Sequence, residues 1–186
     1  MNDSFGLFQQ INGYPRTQLT IETMVYFSQS SGNYGGFIGK WTVANNEFIM
    51  GSVKDTYTSP GYPRMSVVLS DGSTLGVQST TTLMQTGSWY HQVGTFDGNT
   101  VNLYLNGQFI TSSTIPTTKT LTNNVAAPFF LGGFGVLETV TGPPAYTRVQ
   151  RKTKISFAQF RMYKKALTGD QVLRNYNAIK GRFGLT

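Results

Sequence analysis

The chain has 186 residues, 39% of them hydrophobic and 12% charged, with a formal net charge of +7, one histidine and no cysteine. That length supports one domain with a sizeable core, while the missing cysteines exclude disulfides and thiolate-held zinc and the lone histidine excludes a histidine-rich metal site. No apolar run reaches the ~20 residues of a membrane helix, and the start, MNDSFGLFQQ, lacks the basic-then-apolar order of a secretory signal.

Residues 1–17 carry Phe5, Leu7, Phe8 and Ile11, enough for an N-terminal arm or a first strand. Leu19 to Phe27 reads as a strand with apolar residues on both faces, as expected inside a two-layer sandwich. After a Ser/Gly/Asn loop over Ser28–Gly36, Phe37–Val43 and Glu47–Val53 form a hairpin about Ala44-Asn45-Asn46. Lys54–Arg64, KDTYTSPGYPR, is a long Pro/Gly/Tyr loop. Met65–Leu69 and Leu75–Gln78 flank the turn pair Asp71-Gly72, and Ser79–Thr86 leads into GSWYHQVGTFDGNTVNLYLNGQFIT. There two Asx-Gly pairs, Asp97-Gly98 and Asn106-Gly107, divide three antiparallel strands: Trp89–Phe96, Thr100–Leu105 and Gln108–Thr111. Alternation puts Val101, Leu103 and Leu105 on one face and Asn102 and Tyr104 on the other.

Ser112–Asn124 reads as a polar connection between sheets, Ala126–Gly133 as the next strand and Gly135–Tyr146 as a second long loop. Arg148–Tyr163 is long enough for one bent strand or two shorter ones. Thr168 and Gln171 have the spacing of a capping box, and Leu167 and Val172 that of a hydrophobic staple. The helix they open has Val172, Leu173 and Tyr176 on one face and Gly181 as its stop. With no internal repeat and no linker, the expected organisation is a single all-β domain over 1–186, with 168–186 as helix and tail.

The order of these pieces resembles a known family. WYHQVGTFDGNTVNLYLNG, with Trp89, His91, Asp97, Gly98, Tyr104, Asn106 and Gly107, is similar to the core motif of concanavalin A-like, laminin-G-like jelly rolls. Leu19-Thr20-Ile21-Glu22 resembles the early strand of that family, Phe130-Leu131-Gly132-Gly133 its Ile-Gly-Gly step, and FAQFRMYKKAL, Phe157 to Leu167, its closing strand. Met24 departs from the usual Trp, and Ala158 and Gln159 from the usual Asp and Glu. The resemblance implies a two-sheet antiparallel jelly-roll sandwich with one short C-terminal helix. The tail from Asn175 to Leu185 resembles the end of laminin-G-like modules in structural proteins of tailed phages, marine ones especially. That implies a non-enzymatic virion component, a head decoration or a fibre or tail part, located in the particle and acting through contacts with other virion proteins.

The fold alone also admits a lectin-like module for host-surface carbohydrate and a polysaccharide hydrolase. Hydrolysis is disfavoured, because the Glu-x-Asp-x-x-Glu run of related hydrolases is absent and the eight acids are scattered. Of these, Glu22, Glu47, Asp55 and Glu138 are free of turn and helix-start roles. Many relatives bind calcium through loop carboxylates; Asp55 and Glu138 are what this chain retains for it, and no cofactor is expected. His91 is read as a strand residue that packs and hydrogen-bonds, and Trp41 and Trp89 as core aromatics. Tyr57, Tyr62 and Tyr146 stand in Pro/Gly loops, where packing demands no aromatic, and are contact candidates. Charge supplies the others. Residues 1–147 hold five Lys/Arg against seven Asp/Glu, net −2, and residues 148–186 hold ten against one, net +9. Arg148, Arg151, Lys152 and Lys154 are expected at a contact with an acidic virion surface. Nucleic acid is a poorer fit, because sheet packing explains the interleaved Phe157, Phe160, Met162 and Tyr163. Docking is expected to be direct, with the chain single or in a symmetric homo-oligomer.

Overall fold

Asn106 and Gly107 take φ values of 50° and 77°, the two left-handed conformations that let a two-residue turn follow the right-handed strand twist. The Asn106 side chain also extends the ladder. Its Oδ1 accepts from the His91 backbone N–H at 3.0 Å, while its own N–H donates to the His91 carbonyl at 2.7 Å. The Asp97 reversal closes by a different device. Gly98 alone there has positive φ, and the Asp97 carboxylate accepts from the N–H groups of Asn99 and Thr100 at 3.0 and 2.8 Å.

The computed structural model describes residues 7–8, 16–29, 34–41, 46–53, 61–124, 127, 129–140, 146–152 and 154–186. In chain order the strands are β1 (Leu7–Phe8), β2 (Leu19–Gln29), β3 (Tyr34–Trp41), β4 (Asn46–Val53), β5 (Tyr62–Val68), β6 (Thr74–Gln78), β7 (Ser88–Phe96), β8 (Thr100–Leu105), β9 (Gln108–Thr114), β10 (Phe129–Leu131), β11 (Gly133–Val140), β12 (Tyr146–Lys152) and β13 (Lys154–Tyr163). Helix α1 (Gly169–Ile179) follows, and a 3-10 turn, Lys180–Phe183, closes the chain. One antiparallel sheet has the order β1-β10-β3-β4-β5-β6, a second β13-β2-β7-β8-β9, and β11-β12 form a separate ladder. The two larger sheets make the expected jelly-roll sandwich.

The core lies between them. Leu19, Ile21, Phe96, Val101 and Leu103 of the five-stranded sheet meet Ile38, Phe48, Met50, Met65 and Val67 of the other. Each such side chain, fully buried, contributes roughly 1.5–3 kcal/mol relative to exposure. Gly94 permits the close approach: a Cβ there would fall on the Met65 sulfur. Gln92, also fully buried, stitches the layers, its Nε2 donating to the carbonyls of Gly51 and Arg64 at 3.0 and 3.1 Å.

Two local expectations change, and one open alternative is settled. Gly135–Tyr146, expected as a loop, is mostly strand: GFGVLETV forms β11, and Gly135 falls in a bulge between Phe134 and Leu137 rather than ending the ladder. Arg148–Tyr163 resolves into two strands that belong to different ladders. The helix passes Gly181 into the 3-10 turn, and Gly184, at φ 66°, is the left-handed residue that ends it.

The helix start has the expected chemistry. The Thr168 hydroxyl accepts from the Gln171 N–H at 3.3 Å, and the Gln171 Oε1 accepts from the Thr168 N–H at 3.0 Å. Thr168→Ala should cost about 1 kcal/mol, seen as a lower urea midpoint at unchanged slope, whereas Thr168→Ser should cost almost nothing. Equal midpoints for wild type and Thr168→Ala would show that the box adds no stability.

Candidate functional site

The acids come first, because chemistry on this fold needs accessible carboxylates. Glu22 lies on the face of β2 away from the core, fully buried beneath the C-terminal segment. Its Oε1 accepts from His91 Nε2 at 3.0 Å, and its Oε2 accepts from the Tyr163 hydroxyl at 2.6 Å and from Asn175 Nδ2 at 2.8 Å. The Arg161 guanidinium stands 3.8 Å from Oε1 with 47% of its side chain in solvent. Burial raises the Glu22 pKa, but hydrogen bonds from His91 and Tyr163, the field of His91 and the Asn175 bond outweigh it, and the carboxyl is held below its ordinary 4.5. An ionised carboxylate only accepts, so His91 Nε2 carries the proton. The ring stacks on Tyr176 at 5.7 Å, and its Nδ1 has no partner among the described residues. This is a buried network that fastens α1 to the sheet.

Glu47 is buried as well. Its Oε1 pairs with Lys40 Nζ at 3.1 Å and accepts from the Asn124 N–H, while its Oε2 has no partner among the described residues. Burial pushes its pKa up to about 7 against the pull of the Asn124 bond, and burial together with the Arg16 charge pushes Lys40 down. Two exposed acids hold turns. Asp71 accepts from Lys119 and from Ser73, which hold its carboxyl well below the usual range, and Asp97 closes the β7–β8 connection. A glycosidase of the usual kind needs two carboxylates ~5–9.5 Å apart across an open bond. Glu22 and Glu47, left free by the sequence reading, are closed to any substrate. Among the described residues no group of three His, Asp or Glu could hold a metal.

Among the described residues the exposed cations all come from the C-terminal part of the chain. β13 is an edge strand, and Arg161 on it, Lys164 and Lys165 just after it, Arg174 on α1 and Arg182 in the 3-10 turn are all exposed. Arg148, Arg151 and Lys152 fall on β12, opposite Glu138, Phe134 and Gly133 in the ladder, and Lys154 opens β13 opposite Gln29. Glu138 is thus the cross-strand neighbour of Arg148. Asp55 and Tyr57 lie outside the described residues. The loop placements of Tyr62 and Tyr146 are corrected: Tyr62 begins β5 opposite Val53 and is half-buried, and Tyr146 begins β12 opposite Val140. Trp89 is half-buried between Tyr26 and Phe183, with ring centroids 5.5 and 4.7 Å away. Tyr104 is buried with Val93, Leu167 and Val172 under the helix. The polar residues that sequence reasoning missed are Gln92, Tyr163 and Asn175. The single signal available was the run Leu19 to Phe27, too apolar on both faces for a strand with a wet side.

Residues 7–173 match the family described as the concanavalin A-like lectin/glucanases superfamily, Laminin_G_3. No curated protein matches the chain. Among solved structures, the binding domain of Paraclostridial Mosquitocidal Protein 1 is similar at 15% identity and TM-score 0.67, covering 96% of this chain and 42% of that one. The receptor binding domain of botulinum neurotoxin mosaic serotype C/D gives 12%, 0.58, 87% and 36%, and the binding domain of botulinum neurotoxin serotype G gives 10%, 0.59, 95% and 40%. This chain therefore spans less than half of each, and at such identities the likeness is one of fold. With a match from Leu7 to Leu173 and the two-sheet architecture in place, the chain belongs to the concanavalin A-like lectin/glucanase superfamily.

Proposed function

We propose that this chain is a non-enzymatic recognition module of a phage particle, docking its basic side on an acidic surface of another virion protein. The observation that carries the reading is the division of charge: among the described residues Glu22 and Glu47 are buried and Asp71 and Asp97 hold turns, whereas Arg161, Lys164, Lys165 and Arg182 stand in solvent. Such a side steers an acidic partner and does no acid–base work. The particle assignment rests on the resemblance of the C-terminal tail to modules of tailed-phage structural proteins. A second reading, recognition of a host-surface glycan, is favoured by the three solved structures of similar fold described above, all binding domains and one of them the receptor binding domain of a botulinum neurotoxin.

Binding of the purified chain to particle components, followed against ionic strength, tests the first reading. Affinity should fall steeply with salt, because the Debye length shrinks from ~10 Å at 0.1 M to ~3 Å at 1 M. The double charge reversal Arg151→Glu with Lys152→Glu should weaken low-salt binding about tenfold or more, with the melting temperature measured alongside to separate lost docking from lost folding. Equal binding by both proteins at low salt would refute the docking assignment. Saturable, salt-insensitive binding to a glycan array would select the second reading, and release of reducing sugar would overturn both.

A further inference from the structure

The five-stranded sheet has two edges, and they differ in kind. One edge, β13, carries Lys154 and Arg161; the other, β9, reads QFITSST, with no charge and no proline. β6, the neighbouring edge of the six-stranded sheet, reads TLGVQ and is uncharged too. A free edge offers unpaired N–H and C=O groups, and natural sheets blunt such edges with lysine, proline or bulges. The irregularity in the β8–β9 ladder falls between Leu103 and Tyr104, so Thr111 to Thr114 pair regularly with β8, and no described strand pairs with their other side.

The exposed large apolar side chains sit beside that same edge. Among the described residues these are Phe109, 55% exposed, and Leu173, 37% exposed. Both stand close to the β8–β9 turn: Phe109 meets the Tyr104 ring edge-on at 5.7 Å, and Leu173 packs beside Gly107. Asp170 and Arg174, both exposed, flank Leu173 on α1 with opposite signs.

We propose that β9, with Phe109 and Leu173, is a two-fold interface through which two copies of this chain join their five-stranded sheets edge to edge. Three observations favour a second copy over another occupant. A two-fold contact must be self-complementary, and an antiparallel strand edge is so by construction. The Asp170–Arg174 pair has the same property, each charge able to face the other sign across the axis. Finally, a chain of net charge +7 repels its own copies except where it is neutral. Four strand spacings of ~4.8 Å put the basic β13 edge ~19 Å from the β9 edge, beyond the Debye length of ~8 Å at physiological salt. The dimer would carry two basic sides, and two sites on one rigid body gain avidity on a repetitive surface.

The experiment is light scattering behind size-exclusion chromatography from ~1 to ~200 µM, on the full chain and on Phe109→Lys and Leu173→Lys, each checked for folding by its melting temperature. Phe109 is more than half in solvent and Leu173 more than a third, so melting of the dilute protein should move little, and least for Phe109→Lys. The wild type should be dimeric at the upper concentrations, and each lysine should raise the dimer dissociation constant about tenfold or more. Lys164→Glu, on the opposite side, should leave it unchanged. A wild type that stays monomeric throughout overturns the proposal. So does a dimer that both lysine variants form equally well, or an edge occupied by a different protein while the chain alone remains single.

Discussion

Glu22→Ala should be among the most damaging single substitutions in this protein, costing about 3–5 kcal/mol. Four side chains from three elements converge on that carboxylate: His91 from β7, Tyr163 and Arg161 from β13, and Asn175 from α1. Removing it strands the His91 Nε2 donor where no water reaches and releases the side chains that fasten α1 to the sheet. Glu22→Gln, which keeps the shape and one acceptor oxygen, should lose less. Urea denaturation gives the size, and amide exchange over 169–179 gives the place: those amides should lose protection before the core strands do. A cost under about 1 kcal/mol, typical of an exposed pair, would mean that the network is incidental. The pH sense follows from the depressed pKa. The Glu22 contribution is present above the unfolded value of 4.5 and disappears as pH falls through the lower folded value.

Glu47 should impose the opposite pH dependence. Its folded pKa, about 7, lies above its ordinary 4.5. The folded state therefore holds a proton that the unfolded state has released between those values. That contribution is complete below pH 4.5 and is lost as pH rises through 7. The shift of 2.5 units corresponds to about 3 kcal/mol at most. Glu47→Gln should flatten the stability profile between pH 5 and 8, because the amide still accepts from the Asn124 N–H without ionising. Lys40→Met should be costly at pH 8, about 3–5 kcal/mol, and milder at pH 5, where Glu47 holds its proton and needs no cation. Parallel stability profiles for wild type and Glu47→Gln would show that Glu47 ionises alike in both states.

The two acids show how differently the sequence speaks about turns and about burial. Asn106-Gly107 announced a two-residue reversal, and Thr168 with Gln171 announced a helix start, because positive φ and first-turn capping are satisfied within a few residues of chain. The alternation of Val101, Leu103 and Leu105 announced a core-facing strand for the same reason, since side-chain direction in a strand is a local matter. Together with the order of the family motifs, these local signals determined the jelly-roll class and the C-terminal helix. Even here a single glycine misled: Gly135 looked like a loop and is a bulge within β11, because bulge and loop share the same local chemistry.

What only the tertiary structure decided is which polar groups are covered and which edges are bare. Glu22 meets Tyr163 and Asn175 across 141 and 153 residues of chain, and Glu47 meets Asn124 across 77. No local pattern encodes such meetings. A carboxylate on a strand looks the same in sequence whether a helix lies over it or water does, and its pKa, its partners and its availability all follow from that cover. The sheet order acts likewise, setting the basic β13 and the neutral β9 at opposite ends of one sheet. An edge is defined by the absence of a neighbour, and the neighbours of a strand come from distant parts of the chain.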